Sequence, residues 1–403
     1  MFPVRKSKKS THIKLTFTGD IMCESKVLDP QDPASTKFHV FFERITHLFD
    51  DSDLVIGNLE TVVAGESLGY TKEMYSFNTP FSFLEVIKEL PVHLVTTANN
   101  HALDRGKEGL LRTIDNLELA GILHTGTSRK DNEFIIVQVG GLKIAFLSFT
   151  ASTNYLDHGF LLESESVGML NLLCPQDFFE RENNHGAIKM ALHRGIRSLI
   201  SLERLMEIKK RIGRIHNVAY CDDLPIEKIN ELTPYQEKIE KMIRSAKQKA
   251  DFVVICPHMG GQFNDKPGSF SEFYMEFFSS HHADLVIGNH PHIIQKMDWL
   301  EGTPVFYSLG NFSLSPKSSY VVDTYHPVIG LLLHIYLTTD TKVISQMTIT
   351  PIHMIHNEAG FRVVPFFDSV SANDRILWER WIAKRLNAKL QSVGHNELLI
   401  FSE

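Results

Sequence analysis

The sequence predicts a layered α/β protein, on three observations. Short apolar runs alternate with stretches of helical periodicity through the first half of the 403-residue chain, the pattern of strands covered by helices. Several of those runs end in a small polar cluster instead of an ordinary turn. The composition, with 43% hydrophobic and 22% charged residues, supplies a packed core and argues against wholesale disorder.

Taken in order, Ile13 to Thr18 reads as the first strand and runs into Gly19-Asp20. Apolar residues at helical spacing predict a helix from Phe38 to Phe49, and Asp53 to Gly57 is a second buried strand. A helix over Phe81 to Leu90 and a strand over His93 to Thr97 come next, the strand ending at Asn99-Asn100-His101. Lys107 to Ala120 is helical and stops at Gly121, which suits the left-handed conformation that closes a helix. Phe134 to Val139 and Leu142 to Phe149 predict a hairpin with Gly140-Gly141 at its turn.

From Tyr155 to about Cys221 charge and histidine increase and periodicity weakens. That predicts an insertion or lid over 155–225, largely helical and including a helix from Arg194 to Ile212. A charged amphipathic helix (Leu232 to Lys249) then precedes a strand from Phe252 to Cys256. A helix from Ser271 to Ser280, a strand from Asp284 to Ile287, a β-rich stretch to Thr350 and a late helix from Arg375 to Leu390 complete the order. The expected division is one domain over 1–350 and a C-terminal extension, 351–403, packed on it.

Charge narrows the function. The net charge of −7, from 41 basic and 48 acidic residues, argues against a nucleic-acid partner, which calls for a basic excess or stripe. An anionic substrate remains open, because a bound cation can dominate the local field. Cys23, Cys174, Cys221 and Cys256 form no Cys-x-x-Cys pair, so neither a thiolate zinc site nor a redox motif is expected. The basic stretch Met1 to Ser10 is followed by no apolar segment of signal-peptide or membrane-span length. The expectation is a cytoplasmic protein with reduced thiols and no direct membrane span, associated with membranes only through partners.

The polar clusters at strand ends carry the chemistry: Gly19-Asp20, Gly57-Asn58-Leu59-Glu60, Asn99-Asn100-His101, His258 within Pro257 to Gly261, and His290 and His292 within Gly288 to His292. Ligands of open α/β sheets bind at strand carboxyl ends. Oxygen and imidazole donors gathered at one edge suit one or two divalent ions, Mn, Fe or Zn. Such ions polarise phosphoryl or carbonyl oxygens and lower the pKa of water from 15.7 towards about 7.

Asp20 taken alone is as readily a turn residue as a ligand, and Asn58 and Glu60 could simply cap the next segment of the chain. Asn100 offers a neutral oxygen, His101 a proton donor, and Asp104 a partner that orients His101. His258 alone would more often be structural. His290 and His292 flank a proline, so an extended segment would point both to one side, and this pair weighs most. Asn154 and Asn311 are candidate ligand contacts, though turn geometry explains either more often. His281-His282 and Lys209-Lys210-Arg211 read as solvated faces, and Phe273, Tyr274, Phe277 and Phe278 as core.

In this order the blocks resemble the calcineurin-like metallophosphoesterase superfamily, and within it the capsule-synthesis CapA family linked to poly-γ-glutamate production. The matching residues are Gly19 to Met22, Asn58 to Thr61, Ala98 to Gly106, His258 to Gly260, Asn289 to His292 and Tyr307 to Phe312, covering about Lys14 to Leu314. The resemblance implies a four-layer α/β/β/α sandwich with its site at one edge of the paired sheets. It implies one metal held by Asp20 and His292, a second by Asn100, His258 and His290, and His101 as acid or leaving-group stabiliser.

Two positions depart from the superfamily pattern. Met22 stands where a histidine ligand is usual and Asn58 where a bridging aspartate is usual, and Glu60, shared with the CapA branch, supplies the carboxylate instead. Three functions are then expected in decreasing order. They are phosphoester hydrolysis by metal-activated water, non-catalytic or single-metal binding of an anionic polymer such as poly-γ-glutamate, and amide or γ-glutamyl hydrolysis. The partners expected are an anionic small molecule or polymer and the capsule-synthesis machinery.

Overall fold

Apolar runs become strands in a computed structural model that describes residues 11–72, 75–131, 133–154, 159–163, 166–179, 222–318 and 320–402. The helix expected over 194–212 and Cys221 lie outside these residues. Strands β1 (His12–Ile21), β2 (Leu54–Leu59), β3 (Leu94–Thr96) and β4 (Leu123–Thr125) lie parallel, side by side. Their near-continuous burial is that of a parallel sheet covered on both faces. β5 (Ile135–Val139) and β6 (Leu142–Thr150) form the expected hairpin. Gly140 and Gly141 take φ values of +55° and +92°, the positive pair that a two-residue hairpin turn requires.

Among the described residues, β7 (Phe252–His258), β8 (Leu285–Ile287), β9 (Met297–Leu300) and β10 (Thr303–Phe306) join this hairpin in a six-stranded sheet, order β5-β6-β7-β8-β10-β9. The later strands return to the first sheet. They are β11 (Asn311–Ser313), β12 (Ile329–Thr338), β13 (Ile344–Asn357), β14 (Gly360–Pro365), β15 (Gln391–Ser392) and β16 (Leu398–Ser402). Among the described residues that sheet has ten strands, running β15-β16-β13-β12-β1-β2-β3-β4 with β11 beside β1 and β14 beside β13.

Alternation along the strands builds three apolar layers. Leu15, Phe17, Leu54 and Ile56 of the first sheet meet Ile144, Phe146, Val254 and Leu285 of the second in a core between them. Val55 and Val95 turn the other way, towards Phe38, Phe42, Phe83, Ile87 and Leu117. Those side chains come from the region of α1 (His39–Phe42), α2 (Ser82–Glu89) and α3 (Gly106–Ala120). On the far face, Leu147, Val253, Ile255 and Val286 pack against α4 (Thr233–Lys249) and α5 (Ser269–Ser280) through Ile239, Ile243, Tyr274 and Phe278. The result is the expected helix–sheet–sheet–helix order.

Several boundaries differ from expectation. The helix expected over Phe38 to Phe49 is α1 and a separate 3-10 turn at Thr46–Phe49. Burial of Phe38, Phe42, Ile45 and Phe49 is kept although the helix breaks, with Phe42 stacked on Phe312 at 5.1 Å, so packing overrides local continuity. The late helix is α6 (Ala372–Leu386), begun by the Ser371 side chain accepting from the Asp374 amide and ended by Asn387 at φ +54°. α3 ends at Gly121, at φ +69°, as expected.

β13 runs through residue 350 and pairs with β14 and β16, so the expected domain boundary falls inside a strand. Ile382 and Leu386 of α6 belong to the core between the sheets. Within the expected insertion, Leu170 and Leu172 bridge Thr127 and Thr150. Among the described residues no helix is long and apolar enough to cross a membrane. Cys23 and Cys256 are buried, and burial pushes the Cys256 thiol up to about 12.

Candidate metal centre

Strand register brings the polar clusters to one edge. Asp20 lies opposite Asn58 on one side and Asn311 on the other, and Asn58 lies opposite Thr96. In the second sheet Thr150 is opposite His258, which bridges Asn289. At Gly19 a Cβ would stand 2.0 Å from the Gly310 carbonyl oxygen, so glycine lets the end of β1 meet the chain before β11.

Among the described residues two groups of buried donors result, Asp20–Glu60–His292 and Glu60–His258–His290, and Glu60 belongs to both. His258 Nε2 lies 2.7 Å from Asn100 Oδ1, 3.0 Å from His290 Nδ1 and 3.5 Å from Glu60 Oε1. His292 Nε2 is 3.7 Å from Glu60 Oε1, and His292 Nδ1 is 3.3 Å from Asp20 Oδ2. Ligands about 2.0–2.2 Å from one ion stand roughly 3.0–3.5 Å apart; the His258–His290 and His258–Glu60 spacings fall in that range and the His292 Nε2–Glu60 spacing lies just beyond it, whereas His292 Nδ1 makes a hydrogen-bonding contact with Asp20.

The hydrogen bonding agrees with that fit. Both carboxylate oxygens of Glu60 and Nε2 of His292 are buried with no hydrogen-bond partner, a costly condition that a cation among them would remove. Asp20, Glu60, Asn100, His258, His290 and His292, all expected as ligands, are thus brought together.

Burial sets the charge states. It lowers His258 to about 3 and His290 well below the ordinary imidazole range, with neighbouring histidines adding to the shift. Both rings are therefore neutral, with lone pairs available to a metal. Burial raises the Glu60 carboxyl well above its usual range, and the charges of Asp20, Asp104 and Glu24 reinforce this. Burial would raise Asp20 too, but hydrogen bonding with His292 and Asn58 brings its net shift downward.

The His101–Asp104 pair also forms. His101 Nδ1 lies 2.6 Å from Asp104 Oδ2, and its Nε2 is 3.9 Å from Glu60 Oε1, facing the centre. Asp104 Oδ2 accepts the Phe77 amide at 2.5 Å, and the Phe77 ring stacks on His101 at 4.2 Å. Phe77 carried no sequence signal, because a stacking aromatic reads like any core residue.

The three asparagines hold the ligands. Asn58 Nδ2 donates to Asp20 Oδ1 at 2.7 Å, while Asn58 Oδ1 accepts from Thr96 and Asn99. Asn154, at φ +52°, accepts from Asn100 Nδ2 at 3.1 Å, which turns Asn100 Oδ1 towards His258. Asn311 Oδ1 accepts from His292 Nδ1 at 2.9 Å, and its Nδ2 donates to the carbonyls of His292 and Pro327. A proton fixed on Nδ1 leaves Nε2 free to hold a metal ion. Met22 packs in the core on the helix side of the first sheet.

One geometric expectation is corrected. His290 and His292 do not alternate along an extended segment: their φ values are +105° and +57°. The rings converge because the chain turns at both residues.

Against known proteins, the family described as bacterial capsule synthesis protein PGA_cap matches residues 14–315. PGA biosynthesis protein CapA of Bacillus subtilis (strain 168) is 25% identical over 321 residues, covering 77% of this chain and 65% of that one. Capsule biosynthesis protein CapA of Bacillus anthracis is 24% identical over 313 residues, covering 76% and 61%. The matched region spans less than two thirds of either relative.

Proposed function

This chain belongs to the PGA_cap family of bacterial capsule synthesis proteins, and from that premise we propose that it is a metal-dependent hydrolase of a phosphoester. The observation that carries the reading is Glu60, buried, without hydrogen bonds and shared by two donor groups. Asp20, Glu60 and His292 would hold one divalent ion, Mn, Fe or Zn, and Glu60, Asn100, His258 and His290 a second. Bound there, such ions supply Lewis acidity towards a phosphoryl oxygen and acidify water.

The chain's own residues do the rest. His101, its Nε2 turned inward, delivers a proton to the departing oxygen. Asp104 holds the ring and stabilises its protonated form. Asn154 and Asn311 keep Asn100 and His292 in their working orientations. The substrate proposed is an anionic small molecule or polymer, met in concert with the capsule-synthesis machinery, with no nucleic acid involved.

Elemental analysis of protein purified without added metal, followed by assays with aryl phosphomonoesters and phosphodiesters, tests this. Turnover is expected with Mn²⁺, Fe²⁺, Co²⁺ or Zn²⁺ and is lost in His290→Ala. Bound metal without turnover under any of these ions would remove the hydrolase reading. Asn58, a neutral residue bonded to Asp20, favours a second reading as an accessory protein binding an anionic polymer, in which poly-γ-glutamate binding survives chelation. Release of glutamate from that polymer would instead identify the amide-hydrolysing variant.

A further inference from the structure

The loop that carries His290 and His292 is strained, and strained backbone persists only where its surroundings over-determine it. Part of that restraint is local. Asn311 donates to the His292 carbonyl at 2.8 Å, and the Phe263 amide donates to the Pro291 carbonyl at 2.8 Å. Another part comes from the far end of the chain. Arg385, in the last turn of α6, donates from Nε and Nη2 to the Ile294 carbonyl at 2.9 and 2.7 Å, and from Nη2 to the Asp265 carbonyl at 3.0 Å. Its guanidinium lies 5.1 Å from the Tyr325 ring centre and is part-buried.

Those carbonyls belong to different loops. Ile294 lies two residues beyond His292. Asp265 lies two beyond Phe263, whose ring is 5.6 Å from that of His292. Gln295 Nε2, donating to the Asn264 carbonyl at 2.8 Å, stitches the same two loops beside the arginine. The family match ends at residue 315, so Arg385 is outside the part of the chain that the family defines.

We infer that Arg385 is a positioning residue: by tying the Ile294 and Asp265 carbonyls together it holds the strained loop so that His292 Nε2 faces Glu60. A planar fork holds several donors in one fixed orientation and so suits two carbonyls reached from one anchor, whereas the three donors of a lysine rotate on a flexible stem. The meaning of this for metal binding rests on the reading of the centre proposed above; the restraint on the loop does not.

The test uses the full chain with Arg385→Ala, Arg385→Lys and, as a purely structural change in the same helix, Ile382→Val. Amide hydrogen exchange of the metal-free proteins and Co²⁺ titration followed by visible absorption are the readouts. Arg385→Ala should lose exchange protection in 258–266 and 288–296 while keeping it in β13, and should weaken one Co²⁺ equivalent about tenfold. Arg385→Lys should recover part of both, and Ile382→Val should move neither. Unchanged exchange in those two segments, or the same change in Ile382→Val, would overturn the inference. Wild-type protein that takes up no Co²⁺ would defeat the metal reading, while the exchange data would still decide the role of Arg385.

Discussion

Glu60 lies 3.5 Å from His258 Nε2, 3.7 Å from His292 Nε2 and 3.9 Å from His101 Nε2. Among the described residues it alone is common to both donor groups. Burial, reinforced by the charges of Asp20, Asp104 and Glu24, raises its carboxyl well above the usual range, and a cation among the donors would oppose that shift. Glu60→Gln keeps the shape and removes the charge. The metal-free variant should melt at or above the wild-type temperature, because a buried carboxyl without hydrogen-bond partners is gone. Metal affinity should fall by more than tenfold, which equilibrium dialysis against Zn²⁺ will measure. At this scale the sequence was informative about residue type. Asp20, His258 and His292 were legible as donors, but the tasks of Asn58, Asn154 and Asn311 were not, since an asparagine beside a ligand and one in a turn look alike in a linear chain.

At the scale of elements, β1, β12 and β13 carry a polar row through the first sheet. His334 Nδ1 lies 2.9 Å from Thr16 Oγ1, and its Nε2 lies 3.1 Å from Thr350 Oγ1. Burial, with the charge of Lys14 adding to it, lowers this imidazole well below its ordinary value of 6.5. The unfolded chain therefore binds a proton near pH 6.5 that the folded chain refuses. Stability is full above that pH and declines as pH falls below it, by up to about 1.4 kcal/mol per pH unit for one such group. Urea midpoints of metal-free protein at pH 7.5 and 5.0 should show the decline, and His334→Gln should reduce it. His258 and His290 keep contributing in the same direction in that variant. Period-two alternation was readable in these strands, and so were the stop at Gly121 and the turn at Gly140-Gly141. The break between α1 and the following 3-10 turn was not, because the packing of Phe42 on Phe312 joins residues far apart in sequence.

At the scale of the whole molecule, the C-terminal segment builds the body of the protein. β13 is flanked by β12 on one side and by β14 and β16 on the other, and α6 fills the end of the core between the sheets. A chain ending at residue 350 would cut β13 in two, leave the outer edge of its remaining part unpaired and remove Ile382 and Leu386. It should lack cooperative thermal unfolding by circular dichroism and be degraded rapidly by trypsin. Cooperative unfolding of 1–350 would show instead that residues 351–403 are a true appendage.

By itself, the sequence determined the layered α/β class, the places where strands give way to polar clusters, and the oxygen and imidazole donors those clusters offer. Each of these is written in short-range periodicity and residue chemistry, which need no knowledge of where distant segments lie. Tertiary structure alone decided that Glu60 stands between two donor groups, that positive φ at His290 and His292 turns both rings inward, and that Arg385 braces their loop. Those outcomes depend on contacts between segments tens to hundreds of residues apart, and on backbone conformations that only surrounding packing can impose.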